Sequence, residues 1–269
     1  LYEIPKQQSP NGPRKNSLFA GTVWLGGVDA STQGIRVVGN TYRQSNYSLW
    51  PGPLDIQNPG IISPAECSEW DRHFSVLKSD IEAFISAFNL GQVQDTSDIA
   101  DDILHWPGKG NPYITLSRMH ENLAPFVDID LDGQYDPLKG DYPKIKGDQA
   151  IWWVVNDAGG DKEFGGISGA NPTMGAEVHT LAYAFKTADD LNNMTFYDYS
   201  LINKSASDYE DFFVSQWVDP DVGYYYDDRL ASDVPRGLAI AYNGDDFDEG
   251  IMGYGDQPPA VGIDFVKGP

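Results

Sequence analysis

From Gln149 onward the sequence breaks into short runs in which large apolar residues alternate with other types. Each run is closed by glycine, proline, asparagine or aspartate. A period of two puts successive side chains on opposite faces of a strand, so this pattern restricts the second half of the chain to β structure. The predicted strands are 149–156, 177–186, 195–203, 209–218, 237–243 and 260–266. Over 177–186 one face carries His179, Leu181, Tyr183 and Phe185. Over 209–218 one face carries Phe213 and Trp217, and the other Phe212, Val214 and Val218. Aromatic residues on both faces predict strands covered on both sides, and with them a mainly β chain folded as an antiparallel β-sandwich or jelly-roll-like structure.

The first half is less regular. Residues 1–18 are polar and turn-rich, with Pro5, Pro10 and Pro13, and are expected to run extended over the surface or against a neighbour. Leu18-Phe19-Ala20, Val23-Trp24-Leu25 and Ile35-Arg36-Val37-Val38 read as strands, with turns at Gly26-Gly27 and Gln33-Gly34. Trp50-Pro51-Gly52-Pro53 and Trp106-Pro107-Gly108 interrupt regular structure, and 91–122 is irregular and polar. A short helical insert is predicted over about 64–90. Ser63 caps it, Pro64 suits the first helical position, and Glu66 completes a capping box. Phe74, Leu77, Ile81, Phe84, Ile85 and Phe88 form its apolar face, expected to pack on the core. The organisation expected is an N-terminal β/irregular region over 1–127, an acidic loop and connector over 128–148, and an aromatic-rich β-sandwich region over 149–269, the whole being readable as one continuous domain. No internal repeat at a fixed period is visible.

The chain has 40 acidic residues against 18 Lys plus Arg, a formal net charge of −22. Such a surface repels nucleic acid and anionic membranes. No apolar run approaches the ~20 residues of a membrane-spanning helix, so membrane insertion is not expected. The single cysteine, Cys67, excludes an internal disulfide and a multi-cysteine zinc site, and reads as a small buried residue. The chain opens at Leu1-Tyr2-Glu3 with neither Met nor a signal-peptide pattern and closes at Lys267-Gly268-Pro269, ends that read as cuts from a longer protein.

Self-repulsion on this scale is relieved most directly by divalent cations, and the carboxylates cluster as calcium would require. Over 128–139, Asp128, Asp130 and Asp132 take positions one, three and five of a calcium loop. Gly133 takes six, the Gln134 carbonyl seven and Asp136 nine. Lys139 stands where a bidentate acid is usual, and Asp141 could replace that acid in a longer loop. The pattern is closer to the bare aspartate loops of dockerins and thrombospondin-type repeats than to a paired EF-hand. A second candidate cluster comprises Asp219, Asp221, Asp227 and Asp228, with Asp233 beyond; a third run holds Asp245, Asp246, Asp248 and Glu249. Solvated acidic turns are the plain alternative for all three.

No catalytic signature stands out, although the abundance of acids leaves room for a glycosidase carboxylate pair. None of His73, His105, His120 and His179 has metalloprotease spacing, and there is no GxSxG elbow, P-loop or dinucleotide fingerprint. Glu177 and His179 share one strand face, which fits an acid–base pair, two metal ligands or a structural hydrogen bond. Trp152, Trp153 and Trp217 could stack on a sugar, or simply fill the core. Three N-x-[ST] triplets begin at Asn46, Asn193 and Asn203.

Several phrases resemble large secreted or cell-surface proteins of Bacteroidota. They are Ser17-Leu18-Phe19-Ala20-Gly21, Trp24-Leu25-Gly26-Gly27-Val28-Asp29, Leu123-Ala124-Pro125-Phe126-Val127-Asp128 and Gly140-Asp141-Tyr142-Pro143. Gly147-Asp148-Gln149-Ala150-Ile151-Trp152-Trp153, Trp217-Val218-Asp219-Pro220-Asp221 and Pro258-Pro259-Ala260-Val261-Gly262 are similar to the same group. The resemblance implies export across the outer membrane to the cell surface or medium, and a C-terminal type IX secretion sorting domain in the longer proteins. It brings no catalytic residue. Where the group often has Gly-Cys after the acidic pair matching Asp227-Asp228, this chain has Arg229-Leu230. The expectation is thus a calcium-stabilised extracellular structural or adhesin-like protein, self-associating or bound to other surface proteins; the alternative is a secreted carbohydrate-active protein, either a glycan-binding module or a glycoside hydrolase.

Overall fold

The computed structural model describes residues 2–4, 13–41, 47–55, 62–113, 123–160, 163–164, 167–168 and 172–268. Pro5, Pro10, Asn46 and His120 lie outside these. The fold is mainly β, with 35% strand and 15% helix. In chain order the strands begin with β1 (Ala20–Asp29), β2 (Ile35–Val38), β3 (Trp50–Pro51), β4 (Phe74–Leu77), β5 (Phe126–Val127), β6 (Tyr142–Pro143) and β7 (Gln149–Asn156). The series continues with β8 (Glu163–Phe164), β9 (Ile167–Ser168), β10 (Ala176–Ala184), β11 (Thr195–Asn203) and β12 (Tyr209–Asp219). It ends with β13 (Arg229–Asp233), β14 (Leu238–Tyr242) and β15 (Ala260–Asp264). The described residues include the short α-helices α1 (Pro64–Glu69), α2 (Lys78–Asn89) and α3 (Asp101–Leu104).

Two compact units divide the chain, and the boundary between them falls inside β1 and inside β12. The larger comprises Leu25–Asn40 and Gln44–Phe213. Its main sheet has the order β11-β10-β7-β3, with β4 also paired to β7, all antiparallel. β10 is buried on both faces from Ala176 to Ala182, as predicted for a strand covered from two sides. The core gathers Phe74 and Val76 of β4, Trp152 and Val154 of β7, Ile81 and Phe84 of α2, Ile103 of α3, and Trp106. The smaller unit comprises Leu1–Trp24, Thr41–Arg43 and Val214–Pro269. It holds the antiparallel sheet β13-β14-β15.

Local chemistry explains where expectation and fold part. The capping box forms as predicted: Ser63 Oγ accepts from Glu66 N, and the Glu66 carboxylate accepts from Ser63 N at 2.8 Å. The helical insert is not continuous, however. Phe74 and Leu77 fit a helical period but lie on β4, where Phe74 and Val76 face inward and Ser75 and Leu77 outward. Antiparallel pairing with Ala150–Trp152 of β7 wins over the helical alternative. Nor is Gly26-Gly27 a turn; β1 runs straight through it. A Cβ on Gly27 would lie 3.3 Å from the Phe212 ring and 3.4 Å from the Glu210 carbonyl oxygen. Glycine there admits a neighbouring backbone rather than reversing the chain. The aromatic residues of β12 are less covered than their pattern predicts: Phe213 is 70% exposed and Phe212 42%.

Gly147 opens the turn into β7 at φ +73°, and a Cβ there would lie 2.4 Å from the Ala184 carbonyl oxygen. Gly91 has a similar φ of +67° with open space around it. Gly91→Ala should therefore cost only the left-handed penalty of about 1–2 kcal/mol. Gly147→Ala adds a backbone clash and should cost about 3 kcal/mol or more. Urea unfolding of the two variants measures the difference.

Candidate metal centre

The acidic loop 128–141 is closed at its base by a small ladder. Phe126 pairs with Pro143 and Val127 with Tyr142, and Lys144 N donates to the Pro125 carbonyl at 3.0 Å. One residue beyond that ladder stand Asp128 and Asp141, so the closure itself brings the two carboxylates together. Asp141 is fully buried. Its Oδ1 accepts Ile129 N at 2.8 Å and its Oδ2 accepts Asp136 N at 2.9 Å, bridging the two sides of the loop. Asp128 accepts Leu131 N at 2.7 Å and Gly133 N at 2.8 Å. Those bonds wrap the chain around the aspartate, with Leu131 at φ 62° and Gly133 at φ 75°.

One carboxylate oxygen from each of Asp128, Asp130 and Asp141 lies within 4.8 Å of the others, and together they could hold a metal ion. The Asp128 and Asp141 oxygens each keep a second lone pair for an ion after accepting a backbone N–H. An all-oxygen, all-carboxylate set suits a hard cation. Asp141, outside the twelve-residue frame, thus stands where the frame has Lys139. Two of the other predicted ligands, Asp132 and Asp136, are engaged elsewhere. Asp132 binds Lys139 and accepts Gln134 N at 2.7 Å, while Asp136 Oδ1 caps the turn at Pro137–Lys139 through Leu138 N at 3.0 Å. Lys139 Nζ also lies 3.1 Å from Asp130. Its hydrogen bond with Asp132 is the largest influence holding that carboxyl below, and the ammonium above, their ordinary values. The loop therefore carries its own monovalent cation beside the triad.

The second predicted cluster is spread along the chain that follows β12. The carbonyl oxygens of Asp219 and Asp221 accept Phe19 N at 2.9 Å and Asn16 Nδ2 at 3.1 Å. Asp228 Oδ2 accepts Val222 N at 2.8 Å. In the third run Asp248 is buried; it accepts Tyr224 N at 2.9 Å and Tyr254 N at 2.7 Å, while Asp245 accepts Phe247 N at 2.9 Å.

Glu177 and His179 do pair, His179 Nε2 lying 2.8 Å from Glu177 Oε1, with both residues buried. Glu177 Oε2 accepts Leu54 N at 2.6 Å, which ties the segment after β3 to β10. The hydrogen bond that the structural alternative requires is therefore formed. Trp152 is 1% exposed and packs edge-on to His179 at 5.5 Å, so it offers no face to a sugar. Trp153 meets His73 edge-on at 5.4 Å, and Trp217 stacks on Trp24 at 6.1 Å. Cys67 is buried and free, as expected.

No family model, curated protein or solved structure matches this chain. Among the described residues no helix is long and apolar enough to cross a membrane.

Burial is the largest influence on the Glu177 carboxyl and raises it. The hydrogen bond and charge of His179, the Leu54 N–H and the Lys204 charge outweigh it and hold the carboxyl below its ordinary value of 4.5. A depressed folded-state pKa adds stability above the unfolded-state value and loses it as pH falls towards the folded one. Glu177→Gln should therefore cost about 2 kcal/mol near neutral pH. That cost should shrink as pH drops below about 4.5. Paired urea titrations from neutral to acid pH read both effects.

Proposed function

We propose that this chain is a secreted, calcium-stabilised structural protein of the cell surface or the extracellular medium, adhesin-like and serving as a subunit of an external assembly. One observation carries the reading: Asp128, Asp130 and Asp141 converge at the closed base of a single loop. A divalent ion there would join both sides of that loop and offset part of a net charge of −22. Calcium fits because its coordination is flexible, its ligands are oxygen, and the extracellular milieu supplies it. The rest of the loop is built for holding rather than for switching. Asp141 is buried and doubly hydrogen-bonded, and Tyr135 anchors the loop to the core through its hydroxyl, which donates to the Ile103 carbonyl at 2.6 Å. The resemblance to exported Bacteroidota proteins supports the address.

Thermal melts in calcium and in chelator test the reading. At calcium about 100-fold above Kd, one site adds about 2.7 kcal/mol. Asp130→Asn should remove that site's share of the calcium-dependent rise in Tm while leaving the melt in chelator close to the parent's. A calcium response unaltered by Asp130→Asn would overturn the assignment.

A further inference from the structure

A separate set of acceptors in the smaller unit is left without donors. Arg229 of β13 stands opposite Tyr242 of β14. Asp228 and Asn243 are the next residues beyond that last pair. Gly244 comes next; a Cβ there would lie 2.4 Å from the Asp227 carbonyl oxygen, so the two segments are in close contact. Both Oδ atoms of Asp227, Oδ1 of Asp228 and Oδ1 of Asn243 are shielded from solvent and accept no hydrogen bond. Asn243 is only 6% exposed. Its Nδ2 donates to the Asp245 carbonyl at 3.1 Å, which identifies the unpartnered amide atom as the oxygen.

Each buried acceptor without a donor costs about 1–3 kcal/mol, and a charged one more. A water molecule brings two hydrogens and no charge, so it could satisfy only some of these oxygens and neither carboxylate charge. The nearby Arg229 does not serve them; its Nη1 donates to the backbone carbonyls of Asp227 at 2.9 Å and Asp228 at 3.2 Å. Meanwhile the surrounding loop is held firmly: Val222 N is bound by Asp228, and Tyr224 N and Tyr254 N by Asp248.

We propose that Asp227, Asp228 and Asn243 form a second cation site, distinct from the Asp128 loop, that takes a calcium-like divalent ion. Two carboxylates balance its charge, and the amide oxygen completes a hard, all-oxygen set of protein ligands, with water in the remaining positions. The site needs no contribution from the first and stands or falls separately from it.

Terbium, a calcium surrogate whose emission tyrosine sensitises, is the probe. In an Asp130→Asn background, which disables the first site, terbium should bind saturably and be displaced by calcium. Adding Asp227→Asn should weaken that binding by at least about tenfold. The same change should leave Tm in chelator unchanged or higher, because it removes a charge from a repelling pair without breaking any hydrogen bond. Asp228→Asn serves as a second variant with the same expected loss. Unaltered terbium affinity in both variants, or no terbium binding in the Asp130→Asn parent, would overturn the proposal. A fall in Tm in chelator equal to that in calcium would do the same, since it marks a purely structural role.

Discussion

The loops of this chain are shaped by carboxylates that accept backbone N–H groups, and much else in the structure depends on that use of aspartate. Asp29 takes Ser31 N at 2.9 Å and Thr32 N at 3.1 Å; Asp157 takes Met174 N and Ala176 N; Glu177 takes Leu54 N. Asp128, Asp141, Asp228 and Asp248 do the same for their own loops. Long connections between short strands leave many N–H groups outside any ladder, and a buried N–H must find a partner. A short acceptor-only side chain meets that need at several positions, which gives the acidic composition a structural reason.

Every such clamp brings a negative charge out of water, and burial of an unpaired charge is costly. The structure answers case by case. Arg36 reaches Asp29 at 3.0 Å, His179 reaches Glu177, and Lys139 reaches Asp130 and Asp132. At Asp128 with Asp141, and at Asp227 with Asp228, the side chains in contact are too few to balance the charge gathered there. At either place an external cation would complete an arrangement made elsewhere with side chains. Position in the fold is consistent with this: one loop closes on the β5–β6 ladder, and the other lies at the open end of β13–β14.

Strand periodicity made the second half legible. The strands at 149–156 and 195–203 have the bounds their alternation predicts, and β10 differs from prediction only at its ends. Sequence was weaker where partners rather than periods decide. Phe74 and Leu77 suit a helix until β7 captures the segment, and Gly26-Gly27 looks like a turn until β12 is known to lie against it. In the candidate centre, the alternating Asp128 and Asp130 were visible as candidate ligands. Spacing had already offered Asp141 as the acid of a longer loop, and ladder closure is what brings it to the cluster; the diversion of Asp132 comes from the reach of Lys139, which spacing does not encode. Asn243 carried no sequence signal of its own, because its significance comes from register with Asp228 across β13 and β14.

If a divalent ion completes the Asp128 loop, the amides that its carboxylates hold should register the ion directly. Hydrogen exchange at Ile129, Leu131, Gly133 and Asp136, followed with calcium and then with chelator, reads this. The account predicts strong slowing of these amides by calcium, abolished by Asp130→Asn, while amides in the β7–β10 ladder change little. Equal exchange of the loop amides in calcium and in chelator would contradict it.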